Sequence, residues 1–232
     1  MNIFEKIDMD MLTKTEKSFS LVFSIVVIAE LIAGSVESLT TYHYFTKPLI
    51  LISLIFFFWK HAQHLDVKTK WLTLLALVFS LMGDVLLMFV NASVNYFISG
   101  LLAFLLAHVM YVLVFLRKRK KSKKVFPFTV ILLLYAATVF YFLKDGLGDL
   151  LLPVMVYMGV ILLMAITGFL RQGRVPKNSY ILVFLGALFF ITSDSLLALN
   201  KFYEPLPFSN IGIMLTYSIA QLFIVFGLIK QS

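Results

Sequence analysis

Four ionisable side chains stand inside long apolar stretches of this chain: Glu30, Asp84, His108 and Asp194. Burying such groups in hydrocarbon costs at least a few kcal/mol each, so they face a protein interior and mark function more often than not. Asp84 and Asp194 each fall late in an apolar stretch, about 22–24 Å along it at the helical rise, which puts them at a similar depth. Two carboxyls at one depth can hold one acid and one base at neutral pH, the pairing used in acid–base hydrolysis. His108 lies nearer mid-stretch, and Tyr157, Tyr217 and Gln221 add hydrogen-bonding groups at comparable depth.

Spacing puts these groups on common faces. Gly100, Phe104, His108 and Tyr111 follow i, i+4, i+8, i+11, and so do Gly186, Phe190, Asp194 and Ala198 up to the last residue. Each set forms one stripe of a helix. Ser80 precedes Asp84 by one turn, Ser193 adjoins Asp194, and Tyr217 precedes Gln221 by one turn. Small residues on such stripes let helices approach closely. The expectation is several helices, each turning a polar stripe toward a shared interior.

The elements that must carry these stripes are membrane spans. Of 232 residues, 61% are hydrophobic and only 14% charged, and the mean hydropathy is +0.96. Soluble domains carry about a quarter charged residues. A soluble enzyme on an anchor and a disordered chain are thereby excluded. The absence of cysteine removes disulfides, thiolate nucleophiles and thiolate metal sites. Eight apolar stretches are long enough to span, near 18–38, 44–59, 69–90, 96–116, 125–143, 150–170, 178–199 and 209–229. They lack the alternation of barrel strands. The predicted fold is all-α: a cytoplasmic segment over 1–17, then a single polytopic bundle of eight transmembrane helices over 18–230, with both termini cytoplasmic. The first 17 residues hold Glu5, Asp8, Asp10 and Glu16 without a cleavage site, so the first span is expected to be retained.

Charge supports the orientation. With the N-terminus inside, seventeen of the Lys and Arg residues fall in inside segments and three, Lys47, Lys144 and Lys201, fall outside. The net charge of +8 is concentrated in the run from Arg117 to Lys124, which reads as a topology signal touching anionic lipid headgroups rather than a nucleic-acid surface. Tyr42, Tyr44 and Trp59 suit the interfacial belt, His43 the outer interface, and His61 and His64 a solvated inner loop.

Motifs that would direct the reading elsewhere are missing. There is no Gly-x-Ser-x-Gly elbow, no Walker or dinucleotide fingerprint and no HExxH helix. Asp84, His108 and Asp194 have donor types that zinc accepts, so a metal site is an alternative to a metal-free acid–base pair, which is the preferred reading. Carboxylates with histidine inside a bundle also suit a proton- or cation-coupled transporter, although such proteins favour broken helices. A lipid-binding protein without chemistry is a third reading. Glu30 is either a member of the site or a partner to something within the bundle.

Ser-Leu-Met-Gly-Asp at 80–84, Gly-x3-Phe-x3-His-x2-Tyr at 100–111 and Gly-Ala-Leu-Phe-x3-Ser-Asp at 186–194 resemble the YhhN family of membrane proteins, which includes the lysoplasmalogenases. Lys47-Pro48, opening the second span, Tyr157-Met158 and Tyr217-x2-Ala-Gln221 are similar to the same family. The resemblance covers spans two to eight. It implies an eight-helix bundle that hydrolyses the vinyl ether bond of a lysoplasmalogen to a fatty aldehyde and a glycerophospho-choline or -ethanolamine; other lysophospholipids or ether lipids are alternative substrates. That chemistry needs no metal or cofactor; membrane lipids are the expected surroundings, and the basic, Phe- and Lys-rich composition suggests a bacterial cell membrane as its place. Under the resemblance, Asp84 and Asp194 form the catalytic pair and His108 orients water or relays a proton. Tyr157, Tyr217 and Gln221 bind substrate together with Ser80, Tyr111 and Ser193, and Lys47 meets the lipid phosphate.

Overall fold

The computed structural model describes residues 12–120 and 125–231. Most of the expected N-terminal segment and residues 121–124 of the basic run lie outside them. Among the described residues there are eight α-helices and no strand: α1 (Lys14–Ala33), α2 (Thr40–His61), α3 (Val67–Leu87), α4 (Val94–Leu116), α5 (Val125–Leu143), α6 (Leu151–Phe169), α7 (Lys177–Phe202) and α8 (Ser209–Ile229).

Local chemistry explains several of the starts. Thr13 and Glu16 form a reciprocal capping box at α1, and Asp66 and Ser93 accept backbone N–H groups at the first turns of α3 and α4. Pro176, immediately before α7, has the extended backbone that suits a helix entrance. The second span differs from expectation. α2 begins at Thr40, so Pro48 lies inside it rather than at its opening. Proline has no N–H, and the Tyr44 carbonyl one turn earlier is therefore left without its helical donor.

Seven helices, α2 to α8, are long and apolar enough to cross a membrane. α1 is not, because Glu16, Lys17 and Glu30 interrupt its apolar content. Its carboxyls are not on its outer face, however. Leu21, Val22, Ile25, Ile28 and Ile32 are exposed there, while Glu16 and Glu30 are buried.

The packing closes around one hydrophobic cluster that draws on every helix, from Phe23 in α1 and Leu54 in α2 to Val183 in α7 and Ile224 in α8. The tightest unions are α7 with α8 and α3 with α4, and glycine makes both. A Cβ at Gly186 would stand 2.7 Å from Ile224 Cγ1, and one at Gly227 would stand 2.6 Å from Val183 Cγ2. On the other side, Gly83 receives the ring of Phe104 and Gly100 receives Leu87. These close approaches carry the polar stripes of α3, α4, α7 and α8 into one interior.

Candidate active site

Asp84 on α3 is buried, and its Oδ2 accepts a hydrogen bond of 2.8 Å from the Tyr217 hydroxyl on α8. Tyr217 belongs to a longer network. The Tyr111 hydroxyl on α4 donates to Gln221 Oε1 at 2.6 Å. Gln221 Nε2 then donates to Ser80 Oγ at 2.9 Å and reaches the Tyr217 hydroxyl at 3.5 Å. Three helices, α3, α4 and α8, thus hold one carboxyl, and the buried polar groups of the network satisfy one another.

Asp194 on α7 has a separate support. Its Oδ2 accepts from the Tyr157 hydroxyl on α6 and lies 3.8 Å from His108 Nε2 on α4. His108 is fully buried, with its ring edge-on to Phe190 at 4.6 Å and to Tyr157 at 5.3 Å. Neither of its ring nitrogens has a hydrogen-bond partner among the described residues. Phe190 in turn packs edge-on to Tyr217, with ring centroids 5.5 Å apart. Aromatic rings therefore fill the interior between the two supports.

Both carboxyls face one cavity of about 310 Å³, shared with Lys47, Lys201, Ser193 and Tyr217. No hydrogen bond joins Asp84 to Asp194 among the described residues. The expected pair is thus two separately held acids on a common wall rather than two carboxyls in contact. Ser193 on that wall donates to the Ile213 carbonyl at 3.0 Å, which ties α7 to α8. Lys47 is half-buried at the cavity.

The other expected site residues stand behind the wall. Ser80, Tyr111 and Gln221, expected to bind substrate, are buried in the network that orients Tyr217. His108, expected to meet water, is absent from the cavity lining and backs Asp194 instead. The reason is geometric: residues one turn apart on a stripe lie at different depths, and only one of each pair reaches the opening. Among the described residues no three His, Asp or Glu side chains converge as metal ligands, so Asp84, His108 and Asp194 do not make the zinc set that their types allowed.

Glu30 has a partner within the bundle. His43 Nδ1 lies 2.8 Å from its Oε1, and the Thr46 hydroxyl donates to its Oε2 at 2.6 Å. His43 is thereby mostly covered rather than solvated, because the start of α2 folds it onto α1.

Lys201, Asn200 and Asn210 line the cavity without having been singled out from the sequence. A signal existed for the first. Lys201 follows Asp194 by seven residues, two turns on along the same face of α7. Arg171 was counted only as an inner charge, yet it is fully buried, donating to Gln231 Oε1 at 3.0 Å and Ser179 Oγ at 3.2 Å and lying over the Phe115 ring.

The fold and cavity define a class: a multi-pass, helical integral membrane protein with a carboxyl-lined interior site. Residues 42–228 match the YhhN family, and the chain belongs to that family. It is 30% identical over 155 residues to human lysoplasmalogenase TMEM86A, covering 67% of this chain and 64% of the relative. It is 33% identical over 161 residues to human lysoplasmalogenase TMEM86B, covering 67% and 62%. The mouse lysoplasmalogenase TMEM86B is 30% identical over 181 residues, covering 78% and 73%. The chain thus spans somewhat less than two thirds of the length of the human relatives. No solved structure matches it.

Proposed function

We propose that this protein is an intramembrane hydrolase that adds water across the vinyl ether bond of a lysoplasmalogen, releasing a fatty aldehyde and glycerophosphocholine or glycerophosphoethanolamine. The observation that carries the reading is that Asp84 and Asp194 line one cavity while each is held by a tyrosine hydroxyl. The relatives named lysoplasmalogenase support the choice of substrate.

The chemistry asks for two roles. A protonated carboxyl delivers its proton to the β carbon of the vinyl ether, leaving an oxocarbenium ion. The ionised carboxyl stabilises that cation and takes a proton from the water that attacks it. The resulting hemiacetal then breaks its carbon–oxygen bond to give aldehyde and the glycerol hydroxyl. Two carboxyls separated by a cavity leave room for bond and water together, as in glycoside hydrolysis. Either aspartate suits either role, and neither cofactor nor metal is required. His108 acts through Asp194 as a positioning residue, and Tyr217 does the same for Asp84. Lys47 and Ser193, on the wall, meet the substrate.

In the membrane, α1 joins the other seven helices as an eighth span, with its lipid-facing side formed by Leu21, Ile25 and Ile28 and its carboxyls turned inward. Both chain ends then lie on the cytoplasmic side, as the distribution of Lys and Arg demands.

The test is aldehyde release from a lysoplasmalogen by the purified protein in detergent. Asp84→Asn and Asp194→Asn each lower the rate by about 10²–10⁴-fold, the usual worth of a general acid or base, while the proteins still insert. Wild-type rates in both variants overturn the assignment. Substrate flux into proteoliposomes without product overturns the hydrolase reading itself in favour of transport.

A further inference from the structure

The cavity that holds the two carboxyls is one of three that adjoin. Its polar part carries Lys47, Lys201, Asn200 and Asn210. A smaller cavity of about 60 Å³ shares Phe97, Asp194 and Leu197 with it and continues between apolar side chains such as Leu101, Val154 and Met158. A third, of about 380 Å³ between α4 and α6, shares Leu101 and Tyr157 with the second. Apart from Tyr157 its lining is wholly apolar, and Leu102, Leu152 and Val156 along it are exposed on the outer surface of the bundle. The series therefore runs from two ammonium groups, past Asp194, to the lipid-facing side of the helices.

We propose that the three cavities together seat one single-chain phospholipid, its phosphate on Lys201 with Lys47 and its chain passing Tyr157 to leave sideways between α4 and α6. Lys201 is then the residue that selects a phosphate-bearing substrate, and the substrate reaches the site from within the bilayer. The seating deepens the hydrolase reading, on which it rests for the identity of the bond cleaved but not for binding.

Three physical points favour this occupant. An anion is repelled by Asp84 and Asp194 and attracted by lysine, so the phosphate belongs at the lysine end. Lys201 is seven residues beyond Asp194, about 10 Å along α7, a span that a phosphate, a glycerol backbone and the reach of a lysine side chain fill. The linkage between glycerol and chain then falls beside Asp194, where polar lining gives way to apolar lining. The middle cavity is the smallest of the three, about 60 Å³, which suits one hydrocarbon chain rather than two. Lys201 is exposed and rests over the Phe97 ring at 5.2 Å, so it is held near the junction without an acidic partner in ion-pair contact among the described residues.

Binding tests the seating without relying on turnover. The probes are a saturated single-chain alkyl glycerophosphocholine, which carries no vinyl ether to cleave, and the matching alkylglycerol without phosphate, titrated into full-length protein in detergent. Lys201→Ala weakens the phospholipid about tenfold, as expected for a lost charge-assisted hydrogen bond, and the alkylglycerol far less. Lys201→Arg restores most of the difference. Lys144→Ala, an exposed lysine away from the cavity, moves neither ligand. Leu101→Trp, with its thermal midpoint checked for folding, weakens a long-chain ligand more than a short-chain one. Equal shifts of both ligands in Lys201→Ala, no shift in either, or equal losses at both chain lengths in Leu101→Trp overturn the proposal. So does competition by inorganic phosphate as strong as that by the lipid, which would make the lysines a free-phosphate site. Tight, Lys201-dependent binding with no aldehyde from any vinyl ether would sink the hydrolase reading and leave the seating intact.

Discussion

Tyr217 carries more of the site than its own contact suggests. Its hydroxyl joins Asp84 to Gln221, and through Gln221 to Ser80 and Tyr111, while its ring packs edge-on to Phe104 and Phe190. Tyr217→Phe keeps the ring and deletes only the donor. A buried acceptor left without its donor loses about 1–3 kcal/mol. The expected result is a fall in the rate of aldehyde release of about tenfold or more, with a thermal midpoint that moves by only a few degrees, read from initial rates and unfolding curves on the same preparation. A collapse of the fold at unchanged specific activity would instead make Tyr217 a packing residue. Residue types and spacing were enough to single out Asp84, Asp194, Tyr157 and Tyr217, because buried polar groups in apolar stretches are conspicuous. They were not enough to tell wall from support. Ser80 and Gln221 share their stripes with Asp84 and Tyr217, and a stripe records direction around a helix but not distance from an opening.

At the scale of elements, glycine decides how near the stripes come. Gly186 lies two turns before Asp194 on the same face of α7, and a Cβ there would meet the Ala220 carbonyl oxygen at 2.9 Å as well as Ile224. Backbone cannot yield as a side-chain tip can. Gly186→Val therefore forces α7 from α8, and it lowers both the thermal midpoint and activity. Gly159→Ala, where a Cβ meets nothing within 4 Å, serves as the comparison and leaves both near wild type. Similar losses in the two variants would show that close approach at Gly186 is not what governs stability, since alanine is the better helix former. The positions of the helices themselves were readable from hydropathy: α5 and α8 coincide with the expected stretches, and the others shift by a few residues at their ends. α2 begins one turn earlier than expected: polar Thr40 to His43 are helical, and His43 and Thr46 in its first turns reach Glu30 on α1. Nothing local to the sequence announces a partner on another helix.

For the whole molecule, the absence of native cysteine makes its arrangement in the bilayer directly testable. Single cysteines at exposed Arg174 and Lys144 are predicted to label from opposite sides with a membrane-impermeant maleimide, Arg174 only from the cytoplasmic side and Lys144 only from the other. Labelling of both from one side would remove the alternation on which the eight spans and the placement of both chain ends depend. The same alternation is predicted to put the cavity mouth, with Lys47 and Lys201, on the face away from Arg117.

Solvent and charge settled much of this protein before any helix met another. Too few polar residues exist to cover a water-soluble surface, lysine and arginine gather in alternate connecting segments, and carboxyls occur within long apolar stretches; each is a property of composition and order along the chain. Contact between distant segments is not. That Asp84 and Asp194 take different tyrosines instead of each other, that His108 backs the wall instead of facing the cavity, and that Lys201 joins Lys47 at its polar end all depend on how closely α3, α4, α6, α7 and α8 approach. Those distances come from glycine contacts and ring packing between helices, where a displacement of an ångström moves a side chain from lining to support, and a one-dimensional pattern carries no information at that resolution.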